Sequence, residues 1–255
     1  KGGRNRLFCC KPFAEERINK ILALMVCGLV IAAPGSRSGG AELISLESQS
    51  GACSINVEGR TAIRIRYGGG YSTLEERAKV IAQSLTKLFR SSREMVNFHV
   101  VWEKGKAIAF ADQDKLFTVL KEDARANNSD PLSLALSWLN NIQIEFYRMR
   151  EGKEVKEVTE GIASWCSNNF EGRATASGEP YNPYAFTAAH RTLPLGSVIL
   201  VTNVEDGRQV VVRINDRGPW NESRVIDLSL AAAKVLDIHE DGLSEVKIEV
   251  LRWGE

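Results

Sequence analysis

The first half of the chain contains short runs in which apolar and polar residues alternate. Positions 61–67 alternate with a period of two, which predicts a half-buried strand that ends at the glycines that follow. Positions 98–102 and 107–110 have the same character and enclose a short polar turn. The spacing predicts a β-hairpin at these two runs.

Two helices are predicted in the same half. Ser72 and Glu75 have the spacing of a capping box, and the apolar residues that follow recur at helical spacing as far as Phe89. Pro131 is expected in the first turn of a second helix, where its missing N–H costs nothing. The order strand, helix, two strands, helix predicts a small α+β domain over residues 42–147.

The second half, residues 158–255, has the pattern of a β-rich domain. A helix is expected after Ser229, and strands are expected at 159–165, 186–190, 198–204, 209–215 and 245–251. Short strands with one helix and long connections are typical of a small closed barrel. A charged stretch without apolar periodicity, 148–157, is the predicted linker, and we expect the barrel beyond it to fold autonomously.

The strongest local signal is the end of the apolar run that begins at Val210. Asn215, Asp216 and Arg217 follow the run, and Gly218 and Pro219 then break the strand. Asp216 and Arg217 are therefore predicted to stand where the backbone leaves the sheet and a substrate can reach them. A simple turn-forming role for Asp216 is the alternative.

The N-terminal residues 1–41 are predicted to be a leader segment and a linker. Basic residues precede the apolar run Ile21 to Ala33, which is 13 residues long. That length suits the core of a signal peptide and is short of the ~18 residues that span a membrane. We expect cleavage between positions 33 and 42, before or within the Gly/Ser-rich linker 34–41. A short buried helix is the alternative.

Composition narrows the function classes. A hydrophobic content of 44% permits a sizeable core, and a formal net charge of +1 argues against a nucleic-acid-binding protein. If the leader is removed, Cys53 and Cys166 remain, and both a disulfide and two buried free thiols are open.

Several motifs occur in one fixed order between residues 161 and 229. They are Gly161-Ile162-Ala163-Ser164-Trp165, Thr175-Ala176-Ser177-Gly178-Glu179, Thr187 to Pro194, Asn215 to Pro219 and Arg224 to Ser229. In this order they resemble the RlpA-like (rare lipoprotein A) family, bacterial double-psi β-barrel proteins distantly related to expansins and MltA-type lytic transglycosylases. The resemblance covers residues 158–251 and implies a six-stranded double-psi β-barrel.

The resemblance also implies an activity. It is that of an endolytic peptidoglycan lytic transglycosylase, which cleaves the glycan between N-acetylmuramic acid and N-acetylglucosamine and leaves 1,6-anhydro ends. No metal or cofactor is expected. The alternative is a non-catalytic, expansin-like module that binds or loosens cell-wall glycan.

The family's functional residues correspond to Asp216, Glu179 and His190. In a transglycosylase the sugar's own 6-hydroxyl attacks, so one carboxyl group can act first as acid and then as base. We expect Asp216 to donate the proton, Glu179 to orient the substrate or share this role, and His190 to hydrogen-bond a carboxylate or a sugar oxygen. Asp227 is interpreted as an acceptor at a helix start, because Ser229 lies beside it.

Further residues are candidates for substrate binding. Arg217 and Arg213 can hold a lactyl carboxylate. Trp165 and Trp220 can stack on sugar rings, although buried barrel aromatics are the alternative. The set is completed by Thr175 and Ser177 of the second motif.

The sequence departs from the family's pattern at two positions. Cys166 and Ser167 stand where Tyr and Gly are usual, and Glu171 stands where His is frequent. Family members are often lipoproteins, but Val26 replaces the small residue expected before Cys27, so a lipid anchor is not expected. The resemblance implies a location in the bacterial cell envelope, periplasm or outer membrane. The expected partners are peptidoglycan strands, and cell-envelope or division proteins that bind residues 42–147.

Overall fold

The computed structural model describes residues 42–152 and 157–254. The first of these segments contains two antiparallel sheets of three strands each and three helices. The sheets are β1 (Ile44–Gln49), β2 (Ala52–Val57) and β3 (Arg60–Ile65), then β4 (Phe98–Glu103), β5 (Lys106–Ala111) and β6 (Asp114–Val119). The helices are α1 (Leu74–Arg90), α2 (Lys121–Ala126) and α3 (Pro131–Glu151). The predicted α+β character of this half is confirmed.

The start of α1 differs from the prediction by one residue. The hydroxyl of Thr73 accepts a hydrogen bond from Glu76 N at 3.1 Å, and the carboxylate of Glu76 accepts one from Ser72 N at 3.0 Å. The capping residue is therefore Thr73 and not Ser72. Two overlapping capping-box patterns stand side by side in the sequence, and spacing alone does not choose between them.

Helix α3 begins as predicted and runs further than predicted. Asp130 caps it by accepting from two backbone N–H groups, and Pro131 is its first residue. The charged stretch does not stop the helix, because the guanidinium of Arg150 packs over the Phe146 ring at 3.6 Å. Residues 148–151 of the predicted linker are thus helical.

Residues 157–254 form a closed barrel of six strands, as predicted. The strands are β7 (Val158–Trp165), β8 (Thr187–Ala189), β9 (Val198–Asn203), β10 (Gln209–Asp216), β11 (Arg224–Leu228) and β12 (Ser244–Arg252). The order around the barrel is β10, β8, β11, β7, β12, β9, with β10 and β8 parallel, β11 and β7 parallel, and the other neighbours antiparallel. A helix, α4 (Leu230–Leu236), is capped by Ser229 as predicted.

The two halves contact each other directly. Helix α3 packs against α4, β10 and β12, and the buried Asn140 donates to Gln209 O at 2.8 Å and accepts from Val211 N at 3.4 Å. Strand β4 also bonds to the barrel, with Val100 N donating to Tyr184 O at 3.0 Å. The described residues 42–152 and 157–254 belong to one compact unit. Autonomous folding of the barrel stays a prediction.

Three further sequence predictions concern the cysteines, membrane-spanning helices and the N-terminal segment. Cys53 is buried and Cys166 is half-buried, and both are free thiols, so the disulfide alternative is wrong for this pair. No helix in the part of the chain that the structure describes is long and apolar enough to cross a membrane. The predicted leader, its cleavage site and Cys27 lie outside the described residues.

Candidate active site

One row of side chains crosses four neighbouring strands of the barrel. Asp216 on β10 is paired with Ala189 on β8, Ala189 with Asp227 on β11, and Asp227 with Ser164 on β7. Paired residues on neighbouring strands point to the same face of a sheet. The row therefore brings two carboxylates to one outer face of the barrel.

A β-bulge turns Asp216 outward. The register of β10 against β8 shifts between Ile214 and Asp216, which places Asn215 as an extra residue in the strand. Ile214 is fully buried in the barrel core. Strict alternation would turn Asp216 to the same inner side, and the bulge instead exposes its carboxylate.

The carboxylate of Asp216 is held through one oxygen. Its Oδ1 accepts from Ala176 N at 2.9 Å and from Arg217 N at 2.7 Å. Among the described residues, no donor bonds its Oδ2. This arrangement fixes the orientation of the group and leaves one oxygen open to a substrate.

Glu179 stands at the end of a tight turn that is docked on β10. Thr175 N and the Thr175 hydroxyl both donate to Glu179 O, at 2.8 and 2.9 Å. Gly178 has φ of +86°, a conformation that favours glycine. Ser177 N donates to Asn215 O at 3.0 Å, which fixes the turn beside the bulge.

Arg213 stabilises the ionised form of Glu179. Its guanidinium donates to both carboxylate oxygens, at 2.9 and 2.8 Å, and Asn215 Nδ2 donates at 3.4 Å. These bonds from Arg213 lower the pKa of Glu179, because they stabilise the ionised form. Glu179 is thus a carboxylate at neutral pH and a poor proton donor.

His190 follows directly after β8 and lies beside Asp216, whose carbonyl oxygen accepts from His190 N at 3.2 Å. The ring atom Nδ1 accepts from Thr192 N at 3.3 Å and Leu193 N at 3.0 Å. Burial lowers the pKa of His190, and the charges of Arg191 and Arg217 lower it further. The neutral ring therefore carries its proton on Nε2, where it can donate to a ligand.

The predicted substrate-binding residues divide into two groups. The guanidinium of Arg217 donates to His190 O at 3.2 Å and Leu193 O at 2.8 Å, and Arg213 is occupied by Glu179. The buried Thr175 uses its hydroxyl within the turn. These three side chains thus bond to other groups of the site, and direct substrate contact by them stays a prediction. Ser177 is exposed, with its hydroxyl 3.0 Å from that of Thr175.

The two tryptophans also differ. Trp220 is 83% exposed, next to the loop that follows Asp216, so the buried alternative is excluded for it. Trp165 is partly buried and packs against the barrel core. Of the two, Trp220 is the ring that is free to stack on a sugar.

Asp227 differs from its predicted role. Ser229 alone caps α4, through a bond from Ala232 N at 3.3 Å. The carboxylate of Asp227 instead accepts from the Ser164 hydroxyl and pairs with Arg224, whose Nη1 lies 3.2 Å away. Asp227 stands between the apolar residues Ile226 and Leu228 of β11, and a carboxylate in such a place requires partners; this was the sequence signal that could have identified it.

Cys166 lies close to both aspartates. Burial raises the pKa of its thiol to about 11, and the negative charges of Asp227 and Asp216 contribute to this shift. Tyr181 fixes the backbone here, because its hydroxyl donates to Cys166 O at 2.8 Å. The loop after β7 thus lies beside the row that carries Asp216 and Asp227.

Two family models match the chain. Residues 158–248 match a family described as Lytic transglycolase (DPBB_1), and residues 54–149 match a Domain of unknown function (DUF8459). The first match covers the barrel and both aspartates. The second covers most of the α+β half.

The curated relatives match mainly through the barrel. Endolytic peptidoglycan transglycosylase RlpA of Haemophilus influenzae is 42% identical over 144 residues, which are 56% of this chain and 49% of the relative. Probable endolytic peptidoglycan transglycosylase RlpA of a Nostoc species is 56% identical over 104 residues, 40% of this chain and 28% of the relative. The chain spans about half or less of the length of these relatives.

Solved structures show a weaker likeness. An apo expansin of Clavibacter michiganensis matches with 21% identity and a TM-score of 0.32, over 39% of this chain and 52% of the expansin. This likeness carries no argument of its own. The closed barrel and the family match together bear out the predicted fold: residues 158–248 form a double-psi β-barrel that matches the lytic transglycolase family and is similar to the barrel region of RlpA.

Proposed function

We propose that this protein is an endolytic peptidoglycan lytic transglycosylase. The reaction cleaves the bond between N-acetylmuramic acid and N-acetylglucosamine and leaves 1,6-anhydro ends. The observation that carries the proposal is the open Oδ2 of Asp216, which the bulge of β10 places on the outer face beside an ionised Glu179 and a neutral His190. The sequence relatives named above support the same reaction class.

Asp216 is the proton donor in this proposal. Breaking a glycosidic bond requires a proton for the leaving oxygen, and a carboxylic acid beside that oxygen supplies it. Of the predicted acids, Glu179 is held ionised by Arg213, whereas Asp216 keeps an oxygen free. The choice between the two acids follows from their hydrogen-bond partners.

Asp216 then completes the cycle as a base. As the bond from C1 to the leaving oxygen breaks, the proton of Asp216 moves to that oxygen. The 6-hydroxyl of the muramyl residue forms the new bond to C1, and its proton moves to the carboxylate of Asp216. The acid is thereby restored, and no water is consumed.

The other residues hold the sugar and the acid in place. His190 donates from Nε2 to a sugar oxygen, and Glu179 accepts a hydrogen bond from a sugar hydroxyl. Trp220 and Ser177 supply an exposed ring and hydroxyl for the glycan. Thr175, Arg213 and Arg217 act indirectly, by fixing Glu179 and the backbone around His190.

The substrate determines the proposed location of the protein, and the surface of the first half is the proposed site for protein partners. An enzyme that cleaves peptidoglycan works in the cell envelope, so we propose that the protein is exported there. Residues 42–152 carry α3, which packs on the barrel, and their remaining surface is the proposed site for envelope or division proteins.

The test is digestion of purified peptidoglycan by the full chain, with product masses measured. A product lacking one water relative to the hydrolysis product indicates an anhydro end and supports the proposal. Reducing ends would indicate a hydrolase. Binding to peptidoglycan without any released product would favour the expansin-like alternative.

A further inference from the structure

A groove runs between helix α1 and the edge strand β6, in the first half of the molecule. The opposite edge of the same sheet, β4, is the one that bonds to the barrel. The groove has a volume of about 470 Å³, within the ~300–1,000 Å³ that is usual for small-molecule sites. All of its lining residues lie between 69 and 120. It is therefore separate from the site at Asp216 and large enough for a ligand.

A buried ion pair fixes one end of the groove. The guanidinium of Arg77 donates to both carboxylate oxygens of Asp123, at 2.6 and 2.9 Å, and both side chains are buried. It also donates to Tyr67 O at 2.7 Å and to Thr118 O at 2.9 Å. Gly69 lines the groove here, with φ of +63°, and a Cβ on it would lie 3.0 Å from Cζ of Arg77. These bonds join α1 to α2, β6 and the loop after β3, so this end is preformed.

Two lysines give the groove a positive charge. Lys106, at the start of β5, and Lys115, at the start of β6, are exposed and line the groove. Neither forms an ion pair with another described residue. The carboxylate of Asp114 binds two other basic side chains, and that of Glu103 lies 3.4 Å from Lys104 Nζ. No lining residue carries a carboxylate, so the groove is complementary to an anionic ligand.

The distance between the two lysines sets the length of that ligand. Lys115 is paired with Phe110, which follows Lys106 by four residues along β5, so the lysine Cα atoms are roughly 14 Å apart. An extended peptide of about four residues has this length. Tyr71 and Val80 also line the groove and are 41% and 43% exposed. They supply an apolar surface beside the two charges.

We propose that this groove binds a short acidic peptide in extended form. The carboxylates of the peptide bind Lys106 and Lys115, and its apolar atoms pack on Tyr71 and Val80. The peptides attached to the glycan of peptidoglycan have this character, since they are short and carry free carboxylates. The groove thus binds the peptide part of the substrate, while the barrel acts on the glycan. The choice of this peptide source rests on the proposed function.

The test is a calorimetric titration of the full chain with the tripeptide L-Ala-γ-D-Glu-meso-diaminopimelate, a soluble fragment of peptidoglycan. Lys106→Gln and Lys115→Gln each remove one charge from the groove, and each should raise Kd by about 3- to 10-fold. Lys79→Gln is the matched control, because it removes the same charge from an exposed position on α1 outside the groove. Its Kd should equal that of the parent.

A further variant separates binding in the groove from general attraction between charges. Tyr71→Ala removes part of the apolar surface and leaves the charge unchanged. We expect it to raise Kd by about 3- to 10-fold. If its Kd equals that of the parent and Lys79→Gln weakens binding as much as the groove variants do, the tripeptide binds by charge alone and the groove is rejected.

The remaining outcomes distinguish the ligand and the function. No binding by the parent at millimolar tripeptide, or the parent's Kd in both lysine variants, rejects the inference. Tighter binding of an all-L acidic peptide of the same length and charge would identify a protein segment as the ligand and reject the peptidoglycan peptide. Because the titration requires no bond cleavage, a chain that binds the tripeptide and releases no anhydro product supports this inference and contradicts only the proposed function.

Discussion

Three carboxylates on the barrel differ in the groups that hold them. Glu179 is bound on both oxygens by an arginine, Asp227 on one oxygen by a serine and an arginine, and Asp216 on one oxygen by two backbone N–H groups. The sequence identified Glu179 and Asp216 by motif. It could not identify their partners, because hydrogen bonds between loops depend on how the barrel closes. The partners decide which acid can donate a proton.

Asp216→Asn tests the proton donor. Asn keeps the shape and can still accept from Ala176 N and Arg217 N, so we expect the free energy of unfolding to change by less than about 1 kcal/mol. The rate of anhydro-product release should fall by about 100- to 10,000-fold, because the amide cannot deliver a proton. Product masses and a denaturant titration measure both quantities. Release at the parent rate would mean that another residue donates the proton.

His190 should be neutral and protonated on Nε2 at pH 7. Burial and two arginines lower its pKa in the folded protein, whereas the pKa of His in the unfolded chain is ~6.5. The folded ring therefore binds a proton less readily than the unfolded one. Its contribution to stability is therefore present above that pH and is lost as pH falls toward the lowered pKa. Long-range ¹H–¹⁵N NMR reports the tautomer and the titration, with His190→Gln for assignment. A pKa above 6.5 would contradict this prediction.

At the level of the elements, the alternation of apolar and polar residues predicts where the strands lie better than it predicts how they pair. The run that became β10 was predicted almost to the residue, yet its bulge at Asn215 depends on pairing with the short parallel strand β8. Strand β11 was not predicted, because its five residues combine apolar and charged side chains without a clean period. The local pattern of apolar residues indicates which side of a single strand is buried. A bulge, in contrast, depends on how two strands pair with each other.

Gly161→Ala should destabilise the pairing of β7 with β11. A Cβ at this position would lie 2.4 Å from Cγ1 of Val225, so one strand must move. We expect a loss of about 1–3 kcal/mol in the free energy of unfolding, measured with urea. The added change Val225→Ala removes the clash and should recover part of the loss. If the double variant is no more stable than the two single effects added together, the clash is not the cause.

For the whole molecule, the sequence suggested two parts with a charged linker, and the structure places a shared helix between them. Helix α3 belongs to the first half by sequence and contacts α4, β10 and β12 of the second. Its buried positions include Trp138, Asn140 and Ile142, which lie on several faces. Buried residues on several faces of a helix indicate contacts on more than one side, although the pattern alone does not identify the partner.

Asn140→Ala tests how strongly α3 is tied to the barrel. The substitution leaves Gln209 O and Val211 N without their side-chain partner, and we expect a loss of about 1–3 kcal/mol in the free energy of unfolding. Asn141→Ala is the control, since the one bond of the Asn141 side chain to the described residues goes to Ala62 O, within the first half. Thermal unfolding of both variants measures the difference. Equal melting temperatures would show that the Asn140 bonds contribute little.

The exposure of Trp220 makes its intrinsic fluorescence a probe of glycan binding. An indole that is 83% exposed emits as it does in water, and the four other tryptophans of the chain are all less exposed. A glycan that stacks on this ring would remove water from it and shift the fluorescence to shorter wavelength. The shift should persist in Asp216→Asn and vanish in Trp220→Phe. Glycan binding beside Asp216 can then be followed in real time, separately from any bond cleavage.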